Sequence, residues 1–451
     1  MDSLWTLLLV TTSFIILCFS AIFLQWKLFN NHTKKPSKIP LGSFGFRPFI
    51  GETIHFISCA YSDRPECFTN KRRQMYGDVF KSHLFGSPTI VSTDAEVNRV
   101  ILQSDSTKFV PSYPKSLMEL MGKTSILVVN GALQRRIHGL IGNFLKSPFL
   151  KAQITADMQK YVTQSMENWR EDCLVYIQDE AKNIAFRVLV KALISVECGD
   201  EMELLKKHFQ EFIAGLMSLP INLPGTQLYR SLQAKRKMIK LIDAIIQSKR
   251  DQKNFPGAHL SKDVIDALMN DTSGLLTDEL IAENMIDLMI PGEDSVPLLV
   301  TLAIKYLSDS PAALKQLTVI TETLRMGNII TGVMRKATKD VEIKGLLIPK
   351  NWCVFAYFRS VHLDDRVYDS PYQFSPWRWQ DREVSSANFS PFGGGQRLCP
   401  GHDLARLEAS IFLHHLVTQF RWEAEDDTII NFPTVRMKNR MPVWVKRRDL
   451  L

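Results

Sequence analysis

Residues 391–401 read PFGGGQRLCPG. Three glycines and an arginine lead to one cysteine, Cys399, and Pro-Gly follows at once. Downstream, Leu404, Leu407, Ile411 and Leu416 fall close to one face of a helical pattern. Pro400 suits the first turn of that helix. Cys399 is therefore predicted at a helix N-terminus, where the macrodipole and free N–H groups favour a thiolate. Glycine permits unusual backbone angles and lets a large flat group come close to the chain. Arg397 is a fixed cation that suits a carboxylate. A thiolate, a cation and room for a plane point together to haem with an axial cysteine. Taken alone, the stretch also fits an inert cysteine in a glycine-rich loop. A phosphate-binding loop is a poor rival, because the Lys-Ser/Thr pair of such loops is missing.

The chain has 451 residues, 45% hydrophobic and 23% charged, with a formal net charge of +8. This is ordinary globular composition with apolar material for a sizeable core. The basic residues form no long run. That does not favour nucleic-acid binding, and it fits equally a basic face for an acidic partner protein or an anionic membrane. Seven cysteines (Cys18, Cys59, Cys67, Cys173, Cys198, Cys353 and Cys399) are scattered without a CxxC pair, which argues against structural zinc. Sparse cysteines in a long chain indicate a reduced, cytosol-facing body.

LWTLLLVTTSFIILCFSAIFLQW, residues 4–26, carries no charge and is long enough to span a bilayer as a helix. Lys27, Lys34, Lys35 and Lys38 follow it, which places residues 27 onward in the cytosol. The alternative is a cleaved signal peptide, which has a shorter apolar region and a basic start. Residues 1–26 are thus read as a transmembrane anchor, 27–51 as a Pro/Gly-rich connector, and 52–451 as the catalytic domain.

Helical patterns dominate the rest, so a mainly α body with small β-sheets is predicted. VFKSHLFGSPTIVS (79–92) reads as two strands around a turn, and NWCVFAYF (351–358) as another strand. TVRMKNRMPVWVKRR (434–448) reads as a hairpin. Residues 277–311 read as one long buried helix, capped by Thr277 and followed by Pro311. The apolar segments 109–129 and 209–224 fit a pocket lining or core equally well.

The opening loop fits F-x-x-G-x-R-x-C-x-G at every fixed position: Phe392, Gly395, Arg397, Cys399 and Gly401. It resembles the haem-binding loop of cytochrome P-450 monooxygenases, and the resemblance extends over nearly the whole chain. It implies that family's haem-thiolate fold behind an N-terminal transmembrane helix, with haem b ligated by Cys399. Glu322 and Arg325 in ETLR match the family's E-x-x-R, a pair on one helix face. Arg378 in FSPWRW would join them in a structural network behind the loop, where buried charges must satisfy one another. Arg335 matches an arginine that reaches a haem propionate, and His362 fits a structural position. In PGEDSV (291–296), Gly292 would open a groove over the haem for dioxygen. Asp294 and Ser295 match the acid–alcohol pair that relays protons. Ser replaces the usual Thr, and Pro291 replaces a small residue and should kink the helix.

Two features depart from the family pattern. Gln134 and His138 in GALQRRIHG stand where the family has Trp or His and then Arg; at i,i+4 both could face one propionate. Arg135 and Arg136 would compensate, or face an acidic reductase. Ser295 and Glu322 are only 27 positions apart, about half the gap in microsomal relatives. About thirty residues are expected to be missing near 318. The dozen or so that remain can cover the span at ~3.3–3.6 Å each, but helix would have to unravel.

INLPGTQLYRSLQAKRKM, MIPGEDSVP and LCPGHDLARLEASIFLHHLVTQFRW resemble plant sterol hydroxylases of the brassinosteroid pathway, most of all those acting at C-23 of 22-hydroxylated intermediates. The resemblance implies hydroxylation of a sterol side chain with O2, and electrons from NADPH through a separate reductase. It also implies an endoplasmic reticulum membrane location, single-pass, with the catalytic domain cytosolic. One alternative is a haem-thiolate isomerase or dehydratase that needs no reductase; the Asp294-Ser295 pair and the anchor argue against it. The other is an impaired short form without a competent haem pocket.

Overall fold

The computed structural model describes Ser20 and residues 38–43, 51–62, 64–216, 218–253, 262–315, 318–380, 385–431 and 434–448. All but Ser20 of the expected anchor, and most of the connector, lie outside these residues. Among the described residues no helix is long and apolar enough to cross a membrane. The described part of the connector is tied to the body: Lys81 N donates to Leu41 O at 2.9 Å, beside a Gly42–Lys81 bridge.

The body is mainly helical. α1 (Thr53–Ala60) and α2 (Cys67–Tyr76) precede the first sheet, and α3 (Gly131–Leu145), α4 (Ile177–Ile194) and α5 (Gln227–Lys253) surround the centre. Cys59 and Cys67 form a disulfide, which corrects the expectation of a uniformly reduced chain. The turn between α1 and α2 brings their Cα atoms to 5.9 Å, within bonding range.

β1 (Val79–Leu84) and β2 (Ser87–Ser92) pair antiparallel as predicted, around a turn where Phe85 and Gly86 take positive φ. With β3 (Phe109–Pro111), β5 (Gly332–Ala337) and β6 (Cys353–Tyr357) they make one sheet in the order β1-β2-β6-β5-β3. β4 (Cys173–Tyr176) and β7 (Phe420–Ala424) flank β10 (Pro442–Arg447) in a second sheet, while β8 (Ile429–Ile430) pairs with β9 (Arg436–Met437). The hairpin expected over 434–448 therefore does not form. Its two strands serve different sheets, because positive φ at Arg440 and Met441 turns the chain aside and both edges of β10 are occupied.

The stretch 277–311 is two helices, α6 (Asp278–Glu293) and α7 (Ser295–Asp309), meeting at Asp294. Thr277 caps the first as expected, its side chain accepting from Leu280 N at 3.3 Å. Pro291 and Pro297 have no N–H for the carbonyls of Asp287 and Glu293, so the ladder is weakened on both sides of Asp294 and the helix yields there. Residues 296–304 are buried without exception, which makes α7 the central core helix. α7 packs against α4, against α8 (Val319–Gly327) and against α9 (His402–Gln419).

Between α7 and α8 the described residues make a 3-10 turn, Pro311–Lys315. The helix does not unravel, contrary to expectation: α7 runs to Asp309, and Thr318 Oγ1 pins the start of α8 by donating to Pro376 O at 2.6 Å. Of the two ambiguous apolar segments, Phe109, Leu120, Met121, Phe209 and Phe212 are core, whereas Leu219, Ile221 and Leu223 are exposed.

Candidate functional site

Cys399 lies two residues before Gly401, the N-cap of α9. Backbone hydrogen bonds shape its loop: Cys399 N to Phe392 O at 3.1 Å, Leu398 N to Gly395 O at 3.1 Å, and Gly393 N to Ser390 O at 3.0 Å. Gly395 has φ +65°, and a Cβ there would stand 2.2 Å from Leu102 O, so the glycine is a steric requirement. At Gly401 a Cβ would meet nothing within 4 Å. The Phe392 ring lies under the Arg406 guanidinium, 5.5 Å from its centroid. Burial pushes the Cys399 thiol up, and the Gly401 N–H only partly opposes this. The helix terminus thus does not by itself produce the thiolate expected from the sequence; an adjacent metal cation would.

The cations around the loop test whether haem fits. Arg397 reaches the segment before α3, donating from Nη1 to Ile126 O at 3.1 Å, and from Nη2 to Val129 O and to Asn130 Oδ1 at 2.9 Å. Arg335, on β5 and 7% exposed, donates to Tyr113 OH at 3.4 Å and to Met334 O at 3.0 Å. Burial, and then the charge of Arg335, bring Arg397 down to about 10. Among the described residues neither guanidinium has a carboxylate partner, and Arg397 lies within the field of Arg335. Two carboxylates placed beside them would relieve that repulsion and meet fork-shaped donors. Haem propionates are such carboxylates, and the thiol of Cys399 is the ligand type haem iron takes.

Gln134 and His138 share a face of α3 as predicted, but that face meets the loop. Gln134 Nε2 donates to Gln396 O at 3.1 Å, and His138 Nε2 bonds Leu398 O at 2.8 Å. Their donors hold the carbonyls of Gln396 and Leu398, one on each side of Arg397, which corrects the expected contact with a propionate. Arg136 pairs with Asp271, and Arg135 is exposed.

On the other side, Asp294 and Ser295 stand together at the α6–α7 break. Burial raises the Asp294 carboxyl, against the opposing charges of Lys182 and Arg436. Gly292 does not face an open groove: a Cβ there would lie 2.8 Å from Leu189 Cδ2 and 3.3 Å from Ala185 O on α4. The missing side chain admits α4. Pro291, its neighbour, is exposed in the midst of a buried helix.

Behind the loop, Glu322 and Arg325 are completely buried and paired at 2.7 Å. Arg378 joins as predicted, its Nε 3.0 Å from Glu322 Oε1. Trp379 Nε1 and Ser375 N also donate to Glu322, at 2.8 and 3.1 Å. Arg325 donates to the carbonyls of His362 and Pro371 at 2.9 and 2.8 Å. His362 then bridges to the loop: its Nδ1 faces Asn328 Oδ1 at 2.7 Å, and its Nε2 accepts from Ser390 N at 3.1 Å. Trp379 and Asn328 escaped the sequence reading. The aromatic that follows Arg378 was the available signal for the first; Asn328, in αL conformation after α8, gave none.

Comparison with known proteins agrees with this geometry. The cytochrome P-450 family matches residues 42–318 and 313–441. The chain is 61% identical to 3-epi-6-deoxocathasterone 23-monooxygenase CYP90D1 of Arabidopsis thaliana, over 93% of each chain. It is 48% identical to 3-epi-6-deoxocathasterone 23-monooxygenase CYP90C1 of Arabidopsis thaliana, over 92% of this chain and 86% of that one. A retinoic acid-bound cyanobacterial structure, CYP120A1, shares the fold with a TM-score of 0.80 at 23% identity, covering 91% of this chain and 99% of its own. With its cysteine loop, paired arginines and buried Glu322-Arg325 helix in place, the chain belongs to the cytochrome P-450 family of haem-thiolate monooxygenases.

Proposed function

We propose that the protein hydroxylates the side chain of a plant sterol at C-23, the activity named for the two Arabidopsis relatives. Electrons would come from NADPH through a separate reductase, and the site of action would be the endoplasmic reticulum membrane. The observation that carries the reading is that Arg397, in the Cys399 loop, lies within the field of Arg335, and that among the described residues neither has a carboxylate partner. Bound haem supplies the activation of O2 that no side chain can perform. The chain's own residues do the rest. Cys399 would hold the iron, and Arg335 and Arg397 would hold the carboxylates of the ring. Gln134 and His138 fix the carbonyls of Gln396 and Leu398, in the stretch that leads to the ligand. Asp294, its carboxyl raised by burial, keeps a proton closer to neutral pH than an ordinary aspartate, and Ser295 next to it can pass that proton on. The surrounding apolar helices exclude water.

We further infer that the chain is shortened near residue 318. Supporting this, the family match divides at 313–318. The alignment with the 61%-identical relative also runs over 456 positions, against about 419 residues in 93% of this chain, which leaves roughly 37 positions without a counterpart. The intact Glu322 network favours a competent site in spite of this. The test is a carbon monoxide difference spectrum of the reduced protein, followed by turnover with and without reductase. A thiolate-type Soret band and reductase-dependent C-23 hydroxylation are expected, and Cys399→Ala should abolish the band. Absence of the band would support the impaired short form. Turnover without reductase would support the isomerase or dehydratase.

A further inference from the structure

One stretch of chain, residues 113–130, touches both arginines. Its end holds Arg397, whose guanidinium spends three of its five N–H donors on Ile126 O, Val129 O and Asn130 Oδ1. Its start meets Arg335, whose Nη1 donates to Tyr113 OH at 3.4 Å as well as to Met334 O. Strand register puts Tyr113 there. β3 pairs antiparallel with β5, Pro111 opposite Arg335, and Ser112 N carries the pairing on to Met334 O at 3.2 Å. Side chains alternate along a strand, so Tyr113, two residues after Pro111, returns to the face that carries Arg335. Such diagonal neighbours lie about 7–8 Å apart, a gap that a phenol and a guanidinium can close. Tyr113 is half-buried and lies within electrostatic range of Arg397 too. Its contact with Arg335 is longer than an ordinary N–H···O bond. In that contact the phenol oxygen accepts, and among the described residues its own O–H proton has no acceptor. Gln134 and His138, expected on a propionate, are engaged with Gln396 O and Leu398 O. The donors expected from α3 are therefore missing, while a phenol with an uncommitted proton stands beside the two cations.

We propose that Tyr113 is a haem-binding residue, its hydroxyl donating to a propionate oxygen while it accepts from Arg335. The assignment rests on the reading of Arg335 and Arg397 as the propionate cations. An ionised carboxylate only accepts, and it offers about four lone-pair sites. Two propionates can thus take more donors than the N–H groups left on two partly spent guanidiniums. A phenol supplies one more without adding a third charge where Arg335 already lowers Arg397. Accepting from a cation polarises the O–H and strengthens the bond that it gives. The same contact fastens the chain. With Tyr113 on one carboxylate and Arg397 gripping residues 126–130, both ends of the 113–130 stretch are tied to the edge of the ring.

The test loads the full chain with haem or with haem dimethyl ester, whose propionates carry no charge. Release of each to an excess of an apo-globin acceptor is followed by absorbance. Tyr113→Phe keeps the aromatic ring and deletes the hydroxyl. It should release haem about 10-fold or more faster than the wild type, the range of one hydrogen bond to a charged group. With the ester the two proteins should differ by about twofold at most, because a neutral acceptor gives the weaker bond. Arg335→Leu should also release haem faster than the wild type. Release of haem from Tyr113→Phe at the wild-type rate overturns the proposal, and a fast Arg335→Leu beside it leaves the arginine reading intact. Equal acceleration for haem and ester, or a Tyr113→Phe chain that loads with neither, reports loosened packing and overturns it as well. Wild-type rates in both variants remove the propionate reading itself.

Discussion

Replacing Glu322 by Gln keeps the volume of the side chain and deletes its charge. Oε1 accepts from Arg325 Nη2 at 2.7 Å, Arg378 Nε at 3.0 Å and Ser375 N at 3.1 Å. Oε2 accepts from Arg325 Nε at 2.9 Å and Trp379 Nε1 at 2.8 Å. A glutamine can satisfy one oxygen's partners, but its NH2 would then confront the donors of the other. Arg325, completely buried, would also keep its charge without a counter-ion. Removing one partner of such a pair costs about 3–5 kcal/mol, a large share of the ~5–15 kcal/mol that holds a domain folded. The damage reaches the thiol, since Arg325 holds His362 O and His362 accepts from Ser390 at the base of the cysteine loop. Urea denaturation should show a lower midpoint with an unchanged slope, and the reduced carbon monoxide spectrum should lose thiolate-type intensity. A variant with wild-type midpoint and wild-type band would refute the assignment of Glu322 as the keystone of the loop. Acid acts on the same group. Burial works against ionisation, but Arg325, Ser375 N–H and Arg378 together hold the Glu322 carboxyl below its ordinary value. Its contribution is therefore complete above the unfolded value and is lost as pH falls through the native one.

His362 should give a second, separable pH effect. Burial, then Arg325 and Arg359, lower its pKa from 6.5 to about 3, so on acidification the unfolded chain takes up a proton that the native state refuses. At pH 5 this costs roughly 2 kcal/mol from 1.5 pH units. His362→Gln, which keeps an acceptor for Ser390 N, should flatten the fall in urea midpoint between pH 7 and 5; parallel falls in both proteins would count against it. Gly395→Ala should fold yet bind haem at least about tenfold more weakly by titration, because positive φ alone costs about 1–2 kcal/mol for an L-residue and the added Cβ meets Leu102 O. Unaltered haem binding would show that the loop tolerates a different path.

The parts of the site that the sequence revealed are those where one residue type answers a local demand. Gly395 must take positive φ against Leu102, Cys399 supplies a ligand, and Glu322 and Arg325 sit one helical turn apart. Spacing was less informative where it defined a face but not what the face meets. Gln134 and His138 share a face, and it grips loop carbonyls; Gly292 marks a close approach, and the approaching element is α4. The strands in 434–448 were recognisable, but their partners come from 173–176 and 420–424, which local pattern does not encode. The break at Asp294 was half legible, since Pro291 announced a kink while the second proline and the displacement to residue 294 went unread.

A shortened link between α7 and α8 need not disable the site, because of where the partners of Glu322 originate. The groups on its carboxylate come from Arg325 on its own helix and from Ser375, Arg378 and Trp379 downstream; among the described residues none comes from before 318. Upstream, α8 needs only a direction of entry, which Thr318 secures through Pro376 O, and an apolar wall, which α7 provides at Leu302 against Gly327. A Cβ at Gly327 would lie 2.7 Å from Leu302 Cδ1, so α7 and α8 are packed as closely as a glycine allows. The short connection therefore delivers α8 to its network. The thiol loop is braced through His362 and Ser390, both downstream of α8.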